Sequence, residues 1–206
     1  SAKEYLLEIG LENEEIEIDL MELFGVLKSK ILGILLTTIR FIGIFGGVTK
    51  FMITPMYSST AQLYVVSKEG ISQLTDLTMG TQLTQDYMAI VETRTVLDKV
   101  IRNLKLDMDY KELGEKITVT NPSDTRIMEI SVSDPSPKEA KRITQELTEV
   151  TAKTVSSKMD VKSPTIIENA YLADSPDSPN LLKNMLIGAV LGFVLSAGVI
   201  IVRHIM

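Results

Sequence analysis

The feature that most constrains this chain is an uncharged apolar run near its C-terminal end. Residues 185–202 read MLIGAVLGFVLSAGVIIV, and at about 1.5 Å per residue a helix of this length covers about 27 Å, close to the apolar thickness of a bilayer. A second apolar run, ILGILLTTIRFIGIFGGVTKFMI over residues 31–53, covers about 35 Å and can cross with some tilt. We therefore predict two transmembrane helices, 31–53 and 185–202.

A cleaved signal peptide is the alternative interpretation of the first run. It is disfavoured because 30 residues of net acidic charge precede the run and no small-residue cleavage site follows it cleanly. The mean hydropathy of +0.17 agrees with two spans, since it is high for a chain in which 23% of the residues are charged. Apolar residues are therefore concentrated in segments, and the remaining length suffices for one modest domain.

The basic residues beside the two runs predict the orientation of the chain. Lys28 and Lys30 precede the first run, while Arg203 and His204 follow the second. Because cytoplasmic loops of membrane proteins are enriched in Lys and Arg, we predict a multi-pass protein of the cell membrane with both termini in the cytoplasm. The segment between the two runs is then extracytoplasmic.

Residues 1–30 form an acidic cytoplasmic N-terminal segment with an amphipathic part. Positions 1–27 carry eight acidic residues and one lysine. Anionic lipid repels such a segment, so it faces water or a basic protein partner, and a solvated helix face is the alternative. At the other end, residues 203–206 form a short cytoplasmic end that we expect to be truncated. The start at Ser1 without Met is likewise typical of a processed or shortened end.

Arg40 lies near the middle of the first span, where a charge is expensive and marks a pathway, a partner or an assembly contact. Snorkelling to the headgroups is the alternative, but the central position makes it difficult. Small residues also recur at fourth positions in both spans, which lets helices pack closely in lipid. They are Gly43 and Gly47 in the first span and Gly188, Gly192 and Ser196 in the second. The packing partner stays open: the other span, a second copy or another protein.

Residues 54–172 carry the patterns of an extracytoplasmic α+β domain. Alternation predicts four strands, with PSDT as a hairpin turn between the second and third. These strands are expected at 59–66, 116–121, 126–132 and 164–172. A polar loop at 67–80 precedes one long or two consecutive helices that end near Leu104, with Thr93 or Thr95 as a cap.

The last predicted helix has a complete N-terminal signature. Ser136 is its cap, Pro137 occupies the first helical position and Glu139 closes a capping box. The resulting order is strand, helix, strand, strand, helix, strand. This order predicts a ferredoxin-like β-α-β-β-α-β fold flanked by the two transmembrane helices, with both ends of the domain tied to the same membrane.

The chain has few of the side chains and motifs that catalysis usually requires. The chain has no Cys and one His, which argues against thiolate zinc sites, histidine metal clusters and histidine-activated serine chemistry. No phosphate-binding glycine loop is present, and LDMDYKELGE does not have its glycine and glutamate at the positions that a calcium loop requires. The acids between the runs have no spacing typical of an acid–base pair, and no basic patch interleaved with aromatic residues suggests nucleic acid. We expect no enzyme activity, no cofactor and no metal.

A proline-containing run-in occupies residues 173–184, between the domain and the second span. SPDSPNLLKN places Pro176 and Pro179 three positions apart, followed by Asn180 and Lys183. Proline fixes φ at about −65° and lacks a backbone donor, so the chain that enters the membrane is stiff and extended. We expect this stiffness to fix the height and orientation of the domain over its span.

Together, these segments resemble the Wzz-type polysaccharide chain-length determinants, specifically the capsular and exopolysaccharide tyrosine-kinase modulators of Gram-positive bacteria. The likeness runs from residue 18 to 201 and rests on YSSTAQLYV, TRTVLDKVIRNLKL, DPSPKEAKRITQEL and, most specifically, SPDSPNLLKN joined to the glycine-rich span. The resemblance implies a polysaccharide co-polymerase that forms a ring-shaped homo-oligomer in the membrane and sets the length of a lipid-linked polysaccharide made by a separate polymerase. It also implies that a cytoplasmic tail activates a bacterial tyrosine autokinase on a separate chain.

Two other interpretations stay open beside the resemblance. A two-span membrane sensor would bind a ligand outside and signal inward, and a scaffold protein would have no part in polysaccharide synthesis. Arg94 is a further candidate for a partner contact, because a cation at the start of a helix opposes the helix dipole. A flexible exposed arginine is the alternative interpretation of this position.

Overall fold

The computed structural model describes residues 19–65, 75–159 and 161–206 of the chain. The chain divides into two compact units. One unit combines Ser1–Met52 with Leu181–Met206, and the other is Ile53–Asn180. The division separates the two long apolar helices from a sheet with its own helices.

Four strands form one antiparallel sheet in the unit Ile53–Asn180: β1 (Tyr57–Tyr64), β2 (Ile117–Thr120), β3 (Ile127–Asp134) and β4 (Thr165–Glu168). The strand order is β2-β3-β1-β4, so β1 and β3 are central and β2 and β4 are the edges. All three pairings are antiparallel. β1 and β3 pair along their whole length, which makes them the centre of the sheet.

The described residues contain seven α-helices: α1 (Leu20–Ser29), α2 (Ile31–Phe51), α3 (Thr75–Val91), α4 (Arg94–Leu104), α5 (Tyr110–Glu115), α6 (Pro137–Lys158) and α7 (Leu181–Ile205). Three of them, α3 to α5, connect β1 to β2, and α6 connects β3 to β4. The architecture of this unit is therefore mixed α+β. The helices α2 and α7 belong to the other unit, and both are long and apolar enough to cross a membrane.

The core of the α+β unit lies between one face of the sheet and the helices. Alternate residues of the central strands are buried against α6, where Ile143 and Leu147 are at most 1% exposed. Fully burying a side chain of this size stabilises the fold by about 1.5–3 kcal/mol. The strand residues that take part are Leu63 and Val65 in and after β1, and Met128, Ile130 and Val132 in β3.

The helix predicted from Ser136 and Pro137 is confirmed as α6, but its predicted capping box is not closed. The Ser136 hydroxyl accepts from the Glu139 backbone N–H at 3.4 Å. The Ser136 N–H instead donates to Asp134 Oδ1 at 2.8 Å, and the Glu139 carboxylate accepts from Arg142 at 2.6 Å. The reciprocal half of the box is therefore replaced by a contact from the preceding strand.

The predicted loop at 67–80 is wrong over Thr75–Gly80, which is helical, and its remainder lies outside the described residues. Gly80 lies inside α3 despite the low helix propensity of glycine. A Cβ at this position would meet the side chain of Arg126, so the close approach of that side chain favours glycine here. The alternative that was left open, one helix or two, is settled as two, with extended backbone at Thr93 between α3 and α4.

α5 is the helix that the sequence patterns missed. Asp109 caps it, because its carboxylate accepts from the backbone N–H groups of Lys111 and Glu112, both at 2.9 Å. An Asp followed three residues later by Glu is a known N-terminal signature, so the signal was present in the sequence. The segment considered as a calcium loop is thus partly a short capped helix.

Candidate functional site

The helices α2 and α7 pack against each other within one chain through the glycines of α7. A Cβ built at Gly188 would lie 2.9 Å from the Phe41 carbonyl oxygen and 2.9 Å from Phe45 Cβ. A Cβ built at Gly192 would lie 2.9 Å from Phe41 Cβ and 3.0 Å from Thr38 Cα. Only glycine leaves room for this approach, so these two residues face the first apolar helix of the same chain.

A hydrogen bond between polar side chains joins the same two helices. Asn184 Nδ2 donates to Thr49 Oγ1 at 3.0 Å, and Thr49 is only 3% exposed. Ser196, predicted as part of the packing face, instead donates to the carbonyl oxygen of Gly192 in its own helix at 2.7 Å. The polar contact between the helices therefore comes from Asn184, one turn before Gly188, and not from Ser196.

The other predicted small-residue pair lies on the side of α2 that is turned away from α7. Neither Gly43 nor Gly47 has a heavy atom within 4 Å of an added Cβ. Arg40 is exposed and lies three and seven residues before these glycines, which at about 3.6 residues per turn puts all three on one face. The structure thus brings Arg40, Gly43 and Gly47 together but does not bring them to α7.

A contact between two side chains joins α1 to the end of α7. His204 Nε2 lies 3.0 Å from Glu22 Oε1, so the first turn of α1 is beside the last turn of α7. Asp19 directly precedes α1, and its carboxylate caps the helix by accepting from the Met21 N–H at 2.8 Å. The ends of α1 and α7 are therefore linked on one side of the helix pair.

The proline-containing run-in is tied back to the beginning of the sheet, within the unit Ile53–Asn180. The Met56 N–H donates to the Ser178 carbonyl oxygen at 2.9 Å, and the Asp177 N–H donates to the Met56 carbonyl oxygen at 2.9 Å. The Asp177 carboxylate also accepts from the Ser58 N–H at 3.1 Å. Pro176 and Pro179 flank this hydrogen-bonded pair of residues, so the run-in is a clamped segment and not a free spacer.

The other two predicted run-in residues lie at the beginning of the last helix. Asn180 is exposed and directly precedes α7, and Lys183 is exposed in its first turn. Arg94, predicted as a partner contact, is the first residue of α4 and has contacts within its own unit. Its guanidinium lies 3.2 Å from Asp98 Oδ2 and 4.9 Å from the centre of the Tyr110 ring, which offsets the unfavourable helix dipole.

Among the residues that the structure describes, no group of three or more His, Cys, Asp or Glu side chains could hold a metal ion. Burial raises the pKa of Tyr87 above its ordinary value of 10.0. This tyrosine is 0% exposed and belongs to the core cluster of the α+β unit. Its position favours packing over proton transfer.

Sequence reasoning missed Asn184, Thr49 and Asp177 as contact residues. A signal for Asn184 existed, because Asn184, Gly188 and Gly192 recur at fourth positions. No comparable pattern marks Asp177, since the Ser58 N–H that it binds lies 119 residues earlier in the chain.

Comparisons with known proteins point in one direction. A family model described as "Wzz: Chain length determinant protein" matches residues 16–104. "Capsular polysaccharide biosynthesis protein CpsC" of Streptococcus pneumoniae is 37% identical over 200 residues, which are 95% of this chain and 86% of the relative. The protein of the same name from Streptococcus agalactiae is 33% identical over 201 residues, with the same coverage of both chains. "Probable capsular polysaccharide biosynthesis protein YwqC" of Bacillus subtilis (strain 168) is 30% identical over 184 residues, 87% of this chain and 74% of the relative.

Proposed function

We propose a function from the premise that this chain belongs to the Wzz family of chain length determinants: it is a membrane polysaccharide co-polymerase that regulates chain length in capsular or exopolysaccharide biosynthesis. The observation that carries the proposal is the 37% identity that extends over 95% of the chain and thus includes both long apolar helices. Relatives named for capsular polysaccharide biosynthesis occur in Streptococcus pneumoniae, Streptococcus agalactiae and Bacillus subtilis at 30% identity or more. Two candidate transmembrane helices fit a membrane protein of this family.

We propose that the chain acts without making or breaking bonds itself. Length regulation requires only a surface that biases when a separate polymerase stops, and binding energy can supply such a bias. The partners in this proposal are the polymerase, the lipid-linked polysaccharide and the surrounding membrane lipid.

The proposed topology puts both termini in the cytoplasm and residues 54–172 outside. Lys28, Lys30 and Arg203 support this orientation by the positive-inside rule. The contact between Glu22 and His204 supports only one part of this topology, namely that the ends of α1 and α7 lie on the same side of the membrane. The domain bounds proposed from the sequence are 1–30, 31–53, 54–172, 173–184, 185–202 and 203–206.

We further propose that the extracytoplasmic domain is ferredoxin-like. The observed sheet order β2-β3-β1-β4 and its antiparallel pairings support this assignment. The additional helices between β1 and β2 are elaborations of that plan. Copies of this domain would stand side by side in a ring, with the run-in of each copy clamped to the segment that leads into its own β1.

The proposal includes a regulatory partner, a bacterial tyrosine autokinase on a separate chain. The segments that would meet it are the cytoplasmic ends, of which the described part includes α1 and the end of α7. Their mutual contact through Glu22 and His204 offers a surface made from both ends of the chain. Co-expression with the kinase and measurement of its tyrosine phosphorylation, with and without this chain, tests this part separately.

Deletion of the gene, followed by electrophoresis of the surface polysaccharide, tests the main proposal. We expect a changed length distribution that the intact gene restores on a plasmid. An unchanged length and amount of polymer would sink the proposal and would favour a two-span sensor or a scaffold unrelated to polysaccharide synthesis.

A further inference from the structure

The outward side of α2 carries a charge that nothing in the described chain neutralises. Arg40 is exposed and has no hydrogen bond or ion pair with any residue of the described ranges 19–65, 75–159 and 161–206. Neither α2 nor α7 contains an Asp or Glu. Since a guanidinium stays protonated in proteins, its charge inside a membrane requires a partner from outside this helix pair.

The depth of Arg40 argues against a lipid phosphate as that partner. It is the tenth residue of a 21-residue helix, about 14 Å from the helix start and close to the middle of a bilayer. Lys30 and Lys50 lie at the two ends of α2, where the phosphates of the two leaflets are. The headgroups therefore meet the lysines, whereas Arg40 could reach them only by drawing water and headgroups into the membrane.

A second copy of the chain is also a poor partner for this face. Symmetric packing through it would bring two guanidinium groups together without a carboxylate from either apolar helix. Like charges in a medium of low dielectric constant repel strongly. The partner that satisfies Arg40 must bring a negative charge to mid-membrane depth.

The two glycines beside Arg40 show how such a partner could approach. Gly43 and Gly47 follow Arg40 on the same face and have open space where a Cβ would be. The glycines of α7 differ in this respect, because Phe41 and Phe45 of α2 already occupy the space beside Gly188 and Gly192. Small residues at an open helix face let the backbone of another membrane helix come close.

We propose that the face formed by Arg40, Gly43 and Gly47 docks a transmembrane helix of a partner protein that carries an Asp or Glu at mid-membrane depth. The carboxylate accepts hydrogen bonds from the guanidinium, a pairing whose planar geometry adds specificity. The proposal rests on the proposed function, because it takes α2 as a membrane-spanning helix of a co-polymerase. It adds the kind of partner that such a helix would bind: a protein with an Asp or Glu in the middle of a transmembrane helix.

Reconstitution of the full chain with synthetic helices tests this proposal. The chain has no Cys, so Thr54→Cys supplies one site for a donor fluorophore just beyond α2. The acceptor is carried by a leucine–alanine transmembrane helix of about 20 residues with Asp at its centre, in vesicles of phosphatidylcholine. Matched helices carry Asn or Leu in place of the Asp.

We expect the Asp helix to associate about five-fold more tightly than the Leu helix, a difference typical of one polar contact between helices in a bilayer. Arg40→Leu should abolish the preference. The matched control is Arg40→Leu combined with Leu35→Arg, which keeps one exposed arginine in α2 but places it about 140° around the helix from Arg40, away from Gly43 and Gly47. Gly43→Leu should weaken the association although Arg40 is retained, and circular dichroism checks that each variant keeps its helices.

Several results would overturn the proposal. One is equal binding of the Asp and Leu helices to the natural chain, and another is full recovery of the preference in the variant with the moved arginine. Loss of energy transfer between two labelled copies on Arg40→Leu, without discrimination among the helices, would make this face a contact between copies. If Arg40→Leu instead abolished binding of phosphatidylglycerol, measured in a parallel set of vesicles that contain this lipid, Arg40 would be assigned to lipid. None of these results depends on polymer length, so a failure here is distinct from a failure of the proposed function.

Discussion

At the scale of single residues, two glycines of α7 decide how closely the apolar helices approach. Gly188 and Gly192 are buried against α2, whereas Gly198 of the same helix has no heavy atom within 4 Å of an added Cβ. A methyl group at Gly192 would overlap Phe41 and Thr38, because it would lie 2.9 Å and 3.0 Å from their atoms. Gly192 packs closely against α2 and Gly198 does not, so the two glycines of one helix can be compared directly.

Gly192→Ala should destabilise the helix pair by about 1–3 kcal/mol, the usual cost of overpacking. Gly198→Ala is the matched control, since it gains the same helix propensity without an overlap and should be neutral or slightly stabilising. Titration of the purified chain with sodium dodecyl sulfate, followed by circular dichroism, measures both. Equal midpoints for the two variants would contradict the packing described for Gly192.

Tyr87 is a second residue whose environment makes a prediction. The side chain is 0% exposed, and its hydroxyl has no hydrogen-bond partner among the described residues. A buried hydroxyl without a partner is unfavourable, so Tyr87→Phe should raise the free energy of unfolding by about 1 kcal/mol. Thermal unfolding of the full chain in detergent at neutral pH measures the change, and a lower melting temperature would contradict it.

The same residue predicts a dependence on pH. Burial raises the pKa of Tyr87 above 10.0, so the folded protein holds this proton more tightly than the unfolded chain. The contribution to stability is intact below pH 10.0 and is lost as the pH rises through the folded pKa. Phenylalanine has no such proton. The advantage of Tyr87→Phe in melting temperature should therefore widen on passing from neutral pH to a pH above 10.0.

At the scale of elements, the pair of α2 and α7 is a contact within one chain that a crosslink can test. Thr49 Oγ1 and Asn184 Nδ2 are 3.0 Å apart, and the chain has no natural Cys. Thr49→Cys combined with Asn184→Cys should form a disulfide within the monomer on mild oxidation, because disulfides require Cβ atoms that face each other closely. Gel mobility with and without reductant measures the yield.

The matched control for this crosslink uses the neighbouring position on α2. Lys50 directly follows Thr49, so it lies at almost the same position along α2. It is exposed and is turned about 100° around the helix from Thr49. Lys50→Cys combined with Asn184→Cys should therefore stay reduced under the same conditions. A disulfide that appears only between two chains, or equally in both variants, would contradict the intrachain pairing of α2 and α7.

The run-in is the other element whose interpretation the structure sharpens. Its two prolines alone indicate a stiff spacer, but Asp177 and Ser178 also bind the segment that leads into β1. The contact is made by backbone groups and one carboxylate, so it holds both ends of the α+β unit side by side. The two prolines then restrict the backbone on either side of Asp177 and Ser178, the residues that make this contact.

At the scale of the whole molecule, this clamp predicts a phenotype. Pro176→Gly combined with Pro179→Gly should change the length of the polysaccharide, because a more flexible chain on either side of Asp177 should weaken the tie between the run-in and the segment that leads into β1. The unfolding free energy should fall by only about 0.4–1 kcal/mol per proline, since much of the effect lies in the unfolded chain. Electrophoresis of the polymer and thermal unfolding of the variant measure the two effects.

Pro135→Gly is the matched control for the proline substitutions, because Pro135 is exposed and lies outside the run-in. It should cause a similar small loss of stability and leave polymer length unchanged. If the double variant still inserts in the membrane and the length of the polysaccharide does not change, the prolines act only as a linker. If both sets of variants change the length alike, the effect follows stability and not the run-in.

The sequence by itself determined the family of this protein and most of its elements, but not α5 or the beginning of α3. Two long apolar helices follow from run length, and the strands follow from alternation, because polarity along the chain repeats with the period of each structure. The cap at Ser136 is equally local, since the Glu139 N–H that it binds is three residues away. The likeness to chain-length determinants also needed only motifs in the sequence, such as SPDSPNLLKN, and their order.

Only the tertiary structure decided which faces of these elements meet. The recurrence of small residues does not distinguish Gly188, which packs on α2, from Gly43, which is open. The bond between Asp177 and Ser58 spans 119 residues, and Gly80 is helical where a loop was predicted. The reason is physical. A periodic pattern depends only on residues that are close together in the chain, so it predicts helices and strands. The residues that pack against each other can be more than 100 positions apart, and no periodic pattern predicts which of them will meet.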